Sequence, residues 1–313
     1  MRLLAFLASA LLLVVLSIPV QAGEAVNVPG TSWSIEPPPG FALTRDPITM
    51  FVHPSKSVLM IMQAAASPLK LSELGEVGSM QGQGNNVARM DEIREMTVGG
   101  RHAIYFKGYM TQRNSTVYSL AIEGEGSNGM VIAVVPANAA GAVDQAALEA
   151  SMATAREVKQ TIDQRAEALP YRFDDLAGMR ISDILVGSVA IVTEGPSGAM
   201  ASAPDQPFAM IFVADSGGET YLDVERDGKQ VRARITQEYP DAEFLGTIAR
   251  DTKRGAVLEV TYTRKDKETG KPLGGIAWFR IDNGKIILMI AQHPIKGYYY
   301  DRLASVRDGI TLK

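Results

Sequence analysis

The chain of 313 residues has no cysteine, only three histidines and no run of basic residues. The missing cysteine excludes disulfides, thiol nucleophiles, redox exchange and every thiolate metal site. A mature chain of about 290 residues can do without disulfides, because at that size folding buries roughly 70–75% of the unfolded surface. The histidines, His53, His102 and His293, lie in separate strand or turn contexts, two of them directly before proline. A zinc site needs imidazoles that converge, often at i and i+4 of one helix, so no metal is expected. Lysine and arginine number 31 against 35 acids, a formal charge of −4. Removing the first 22 residues takes away Arg2 and no acid, which leaves 30 − 35 = −5. A mildly acidic chain with no basic patch has no electrostatic footprint for nucleic acid and is repelled by an anionic bilayer.

What is present begins with an export signal. Arg2 precedes an apolar run over 3–16, and Pro19 leads to Val20-Gln21-Ala22. A short positive start, an apolar middle and small residues at −3 and −1 describe a secretory signal peptide, with cleavage between Ala22 and Gly23. The competing reading is an uncleaved anchor, since 3–20 approaches a minimal membrane span. Pro19 and the Val-x-Ala ending favour cleavage. The expectation is export to the periplasm or beyond, with no stable membrane insertion after cleavage.

The mature chain reads mostly as strands. Segments 31–36, 48–52, 58–64, 92–98, 102–111, 116–123 and 130–135 alternate or are continuously apolar, with turn residues between them. Residues 69–80 carry apolar side chains at helical spacing, and 142–165 is an Ala-rich stretch that reads as one long helix. The second half repeats the order. Strands are expected at 171–174, within 179–193, and at 208–214, then a helix at 222–235, strands at 242–251, 256–264, 276–282 and 286–291, and a closing helix at 298–310. Asn283-Gly284 is the strongest hairpin signal among them. Matched by order and turn chemistry, 58–64 faces 208–214, Gly100–Tyr109 faces Gly255–Arg264, and Asn128-Gly129 faces Asn283-Gly284. The expected organisation is a signal peptide over 1–22, a first unit over 23–165 and a diverged second unit over 166–313.

This layout resembles the PsbP-like fold family, shared by the lumenal oxygen-evolving subunit of photosystems and the Ran-binding nuclear-import factor of yeast. The opening WSIEPPPGF (33–41), the helical spacing at 69–80, the meander 92–135 and the closing helix 142–165 carry the resemblance. It covers nearly the whole mature chain as two copies, the second departing through a long insertion over 184–207. The fold class it implies is α+β: tandem duplicated units, each an antiparallel β-sheet with helices packed on its faces. It also implies a non-catalytic, partner-binding role. Composition and spacing alone point only to sheet plus helix.

Candidate chemistry is sparse. Gly124-Glu125-Gly126-Ser127-Asn128-Gly129 matches G-x-G-x-x-G, but that fingerprint needs a helix after the glycines, and 130–135 reads as a strand. The expectation is a hairpin loop. Ser197 in Gly195-Pro196-Ser197-Gly198-Ala199 is the nearest approach to a nucleophile elbow, without the strand-to-helix turn that elbow requires. Asp174-Asp175 and Asp91-Glu92 are adjacent in sequence, so in extended chain they point to opposite faces and cannot share a proton. Met60 and Met62 share a strand face at a spacing that suits Cu(I), though core filling is the plainer account. The mixed-charge segment 265–271 reads as a solvated hairpin tip.

Tyr298-Tyr299-Tyr300 is the most unusual local composition. Three consecutive aromatics at a helix start cannot all face one side, and tyrosine is favoured in binding surfaces, so these three are the candidate partner contacts. Two rings packed on the sheet and one at the surface is the plainer arrangement. The expected function is therefore an exported, soluble, non-catalytic protein that needs no cofactor and binds a protein partner or assists an envelope process. The alternative is a small-molecule or lipid carrier using a cleft between the two repeats. For a hydrolase, Ser197 and His293 are the pair to test.

Overall fold

The structure, a computed structural model, describes residues 23–313 apart from 46–47, 74, 83–86, 186, 196–204, 268 and 296. Ala22 and Ser197 lie outside the described residues, and Gly23 opens the described chain in an exposed turn. The chain divides into two compact units, one running to Thr161 and the other from Ile162 to Lys313.

The first unit contains β1 (Val26–Asn27), β2 (Trp33–Ile35), β3 (Ala42–Thr44), β4 (Met50–Val52), β5 (Val58–Ala65), β6 (Met80–Gln81), β7 (Ala88–Val98), β8 (Arg101–Met110), β9 (Ser115–Ile122) and β10 (Ser127–Pro136). Helix α1 (Gln145–Met152) and β11 (Arg156–Glu157) follow. Eight strands form one antiparallel sheet in the order β3-β4-β5-β10-β9-β8-β7-β6, while β1, β2 and β11 form a sheet of three. Alternation sends Leu59, Ile61, Leu120 and Val131 to one face, where they bury Trp33, Ile35 and the α1 residues Leu148 and Met152. Asp144 starts α1 by accepting from the backbone N–H of Ala146 at 2.8 Å.

The second unit contains α2 (Ile162–Glu167), β12 (Tyr171–Phe173), β13 (Arg180–Leu185), β14 (Val189–Thr193), β15 (Phe208–Asp215), α3 (Val224–Glu238), β16 (Glu243–Thr252), β17 (Gly255–Lys265), β18 (Pro272–Asp282), β19 (Lys285–Pro294), α4 (Tyr300–Asp308) and β20 (Ile310–Leu312). Its seven-stranded sheet runs β13-β14-β15-β19-β18-β17-β16, and β12 pairs with β20. Trp278, Met289 and Ile211 pack on one face with Leu303 and Val306 of α4. Leu258, Val260 and Ile290 pack on the other with Val231 and Ile235 of α3. Gly228 lets α3 approach β16, because a Cβ there would stand 3.1 Å from the Thr247 methyl.

Apart from β6, the two large sheets have the same strand order. Register makes the match residue by residue. Arg94, Tyr105, Leu120, Val131 and Ile61 lie in one row across the first sheet. Ile248, Glu259, Trp278, Met289 and Ile211 lie in the corresponding row of the second. Each sheet also has a β-bulge three residues along from that row, at Asp91 in β7 and at Leu245 in β16. Alignment by turn chemistry differs slightly from this register. Asn283 and Gly284 do form a hairpin turn, at φ 48° and 73°, whereas Asn128 and Gly129 sit inside β10. Matching Gly100–Tyr109 with Gly255–Arg264 puts Tyr105 against Val260, one residue from its register counterpart Glu259, a slip that reverses every side chain.

The expected α+β class, with helices as a layer on the faces of each sheet, gives way to a β-rich fold in which only short helices lie against the sheets. Among the described residues the chain is β-rich: four antiparallel sheets and helices of only 8, 6, 15 and 9 residues. In place of a helix over 69–80 there is one 3-10 turn, Leu71–Glu73, followed by β6. Gly75 and Gly78, at φ 81° and 89°, break any helix there, and Leu71, Val77 and Met80 are exposed, so the apolar spacing serves no buried stripe. The long helix over 142–165 is interrupted by tertiary bonds. The Thr154 hydroxyl accepts from the Glu36 N–H at 2.9 Å and donates to the Ser151 carbonyl at 2.7 Å. The chain then pairs as β11 with β2. Helix propensity summed over an Ala-rich stretch is a weak prior, and here strand pairing overrides it.

Candidate functional site

In the glycine-rich segment 124–129, Gly124–Gly126 lie in the turn between β9 and β10 and 127–129 already open strand β10, so a hairpin rather than a helix follows the glycines, as expected from sequence. The segment nevertheless cradles an anion, and the anion belongs to the chain itself. The Glu157 carboxylate, delivered by β11, accepts from the backbone N–H groups of Glu125, Gly126 and Ser127 at 2.7, 2.9 and 3.1 Å. Successive N–H groups aimed at one point make an anion-binding concavity without any helix. Arg101 adds its guanidinium, 3.5 Å from Glu157 and 3.2 Å from Glu125. Each glycine of the motif has a steric reason to be glycine. A Cβ would stand 1.9 Å from the Ser127 carbonyl oxygen at Gly124, 3.2 Å from the Glu157 carboxylate at Gly126, and 2.6 Å from the Trp33 ring at Gly129. Trp33 completes the arrangement by donating from Nε1 to the Ser127 hydroxyl at 3.3 Å.

The tyrosine triplet divides as its geometry requires. Tyr298 is 100% exposed. Tyr299 packs its ring 6.1 Å from that of His293. Tyr300 donates its hydroxyl to the Glu259 carboxylate at 2.6 Å, and its ring lies edge-on to Trp278 at 5.9 Å. Glu259 is a buried carboxylate that also accepts from Trp278 Nε1 at 3.0 Å and pairs with Arg250 at 3.1 Å. Burial, followed by the Glu259 contact, pushes the Tyr300 hydroxyl above its ordinary range. Of the three candidate contacts, one faces solvent and two anchor it.

The first unit holds a mirrored version of this pair. Tyr105 occupies the strand position of Glu259 and donates to Glu149 of α1 at 3.0 Å. The acid lies on the helix and the phenol on the strand, the reverse of the second unit. Arg94 stacks on the Tyr105 ring at 4.3 Å and reaches Glu149 at 3.4 Å. Burial, reinforced by the Glu149 hydrogen bond, raises the Tyr105 hydroxyl strongly. Sequence reading missed Glu259 and Glu157. The available signal for Glu259 was an acid alternating with Val257 and Thr261 between the apolar Leu258 and Val260, an unusual place for a charge without a partner.

The histidines do not converge. His53 shares a 2.7 Å hydrogen bond with the Ser55 hydroxyl in its own turn. His102 lies 3.1 Å from Glu123 and 3.7 Å from Glu95. Nδ1 of His293 is 2.8 Å from the Pro294 carbonyl, and the ring covers Gly274, where a Cβ would stand 2.6 Å from it. Among the described residues no group of three or more His, Asp or Glu could hold a metal. Asp174 and Asp175 serve separate partners, Thr311 and Arg172 for the first and the Ala177 N–H for the second. Asp91 pairs with Arg89 and Glu92 with Arg94. Met60 and Met62 are both buried in the sheet, with Ile132 and Met130 as their cross-strand partners. The described residues of the hairpin tip at 265–271 are exposed apart from Asp266, which is buried and accepts from the Thr269 N–H and hydroxyl at 2.8 and 2.7 Å.

Among the described residues no helix is long and apolar enough to cross a membrane. No family model matches the chain, and no curated protein matches it. Among solved structures, immunity protein TplEi of T6SS from Pseudomonas aeruginosa aligns at 11% identity over 87% of this chain and 97% of its own, with a TM-score of 0.31. The Tle4-Tli4 complex aligns at 11% identity over 87% and 97%, with a TM-score of 0.29. DynU16, a putative protein in the dynemicin biosynthetic locus, aligns at 6% identity over 86% and 81%, with a TM-score of 0.17. Similarity at this level transfers neither fold nor function.

Proposed function

We propose that the mature chain is an exported, non-catalytic protein of the cell envelope that works by binding a protein partner, built as two copies of one β-rich unit. The observation that carries this reading is the setting of Tyr298. A fully exposed aromatic follows exposed Ile295 by three residues and precedes two tyrosines locked by His293, Trp278 and Glu259. A large ring presented from an anchored segment offers contact area at little entropic cost, as residues that dominate interfaces do. The shared strand order, aligned rows and paired bulges support the two-copy description.

Native mass spectrometry of the mature form, purified gently from the envelope fraction of its own host, tests the reading. The expected spectrum starts from a chain beginning at Gly23 with the added mass of a different polypeptide, and Tyr298→Ala depletes that complex. Added mass of a few hundred daltons would instead identify a carrier. A chain that retains Met1–Ala22 would be a membrane-anchored protein, and a bare chain under crosslinking conditions would overturn partner binding.

A further inference from the structure

The second sheet ends on an uncovered strand. β16 is its margin, and among the described residues no strand lies beyond it, whereas in the first unit β6 pairs outside β7 at Arg89 and Ala88. An open edge presents a row of backbone donors and acceptors to any extended chain, and proteins usually blunt it with charge or a bulge. Both units place a bulge at the corresponding position. In β7 the extra residue is Asp91, paired with Arg89. In β16 it is Leu245, 68% exposed, with Ile248 at 44% three residues on. The fold thus accepts a charged residue at this bulge, yet the open edge carries an apolar one.

We propose that β16 is a self-association edge, pairing antiparallel with β16 of a second copy about a two-fold axis through Thr247. The side-chain directions follow from register. Glu243, Gly246 and Ile248 stand opposite Thr263, Thr261 and Glu259, and Arg250 stands opposite Val257, so all four point to one face. Phe244, Thr247 and Ala249 stand opposite Tyr262, Val260 and Leu258 and point to the other. Leu245 shares the place of Gly246, since a bulge sets two residues against one. With the bulge counted as one position, the two-fold sets Glu243 against Arg250 and Leu245 against Ile248 on the first face. Phe244 meets Ala249 and Thr247 meets its own mate on the second. Symmetry repeats each unlike pair, giving two opposite-charge pairs and four apolar pairs. Sliding the register by two residues either way sets Glu243 against Ile248 or Phe244 against Asp251. One register therefore satisfies charge and apolarity together, and the occupant that fits it is another copy of this chain. This association is independent of the partner proposed through Tyr298.

Light scattering after size-exclusion chromatography of the mature chain, from about 1 to about 100 μM, reads the result. The expected mass is that of two copies at the upper end. Glu243→Arg, which sets Arg against Arg twice, and Leu245→Asp, which copies the bulge of the first unit, each weaken association by about tenfold or more. Both positions are exposed, and unchanged circular dichroism shows that the variants fold. A monomer throughout the range overturns the proposal, as does a dimer that ignores both substitutions.

Discussion

Glu157 holds a carboxylate oxygen 2.9 Å from the backbone N–H of Gly126, and that contact accounts for a glycine spacing that otherwise imitates a nucleotide fingerprint. A dinucleotide loop presents N–H groups to a pyrophosphate and continues as a helix, whose positive end adds to the attraction. This loop presents three N–H groups to an internal acid and continues as β10. The three glycines clear space for a carbonyl oxygen, a carboxylate and an indole ring. The motif is thus a clamp that fastens the small sheet to the large one, because Glu157 lies on β11, β11 pairs with β2, and Trp33 of β2 packs over Gly129.

Removing the clamped anion should leave three N–H donors without their acceptor, two of them on exposed residues and the third, that of Ser127, partly buried. Glu157→Ala is expected to cost the first unit about 1.5–3 kcal/mol, the range for hydrogen bonds to a charged group. Small carboxylates should partly refill the cradle, so added formate or acetate raises the unfolding midpoint of the variant and leaves wild type unchanged. Urea unfolding followed through Trp33 fluorescence reads both effects. A variant as stable as wild type would mean that the loop holds its shape unaided.

The reversed acid–phenol pairs predict unequal costs for the same substitution. Tyr300→Phe removes one of the contacts that satisfy Glu259, whose side chain is only 2% exposed, and should destabilise the second unit by about 1.5–3 kcal/mol. Tyr105→Phe acts on Glu149, which is 25% exposed and also accepts from Gln145 at 2.7 Å, so the expected loss is about 1 kcal/mol or less. The chain has two tryptophans, Trp33 in the first unit and Trp278 in the second, and replacing either with Phe lets the other report its own unit. Equal losses would show that burial of the acid does not set the cost.

Strands were legible because period-two alternation and turn glycines are local signals. Gly99 and Gly100 turn β7 into β8 at φ 57° and 81°, and β16 to β19 lie where alternation puts them. Helices were less legible, since spacing at 69–80 cannot tell whether a stripe will find a surface to cover. The 142–165 stretch yields to Thr154 and Glu157, whose partners lie more than a hundred residues away at Glu36 and about thirty away in the 124–129 loop. The site was least legible of all. Glu259 and Glu157 look like ordinary acids until strand pairing brings Trp278, Tyr300 and three loop amides to them. Leu245 looks like a core residue until register exposes it as the extra residue of a bulge.

Acid should loosen the C-terminal strand before the rest of the second unit. Asp174 accepts from the Thr311 hydroxyl at 2.7 Å, from Arg172 at 3.0 Å and from Arg254 at 2.8 Å. The Thr311 hydrogen bond, then Arg172, holds its carboxyl below the ordinary value of 3.8. For an acid whose folded-state pKa is depressed, the stabilisation is whole above the unfolded value and is lost as pH falls through the folded one. Above about pH 5 the β12–β20 pairing should therefore be insensitive to pH, and below about pH 4 the protection of the Thr311 and Lys313 amides, which face β12, should fall. Thr311→Val should bring the Asp174 carboxyl closer to its ordinary value. Asp174→Asn should fray β20 at neutral pH and remove most of the acid dependence. Hydrogen exchange across that range distinguishes this from general acid unfolding, in which β17 and β18 would lose protection together with β20.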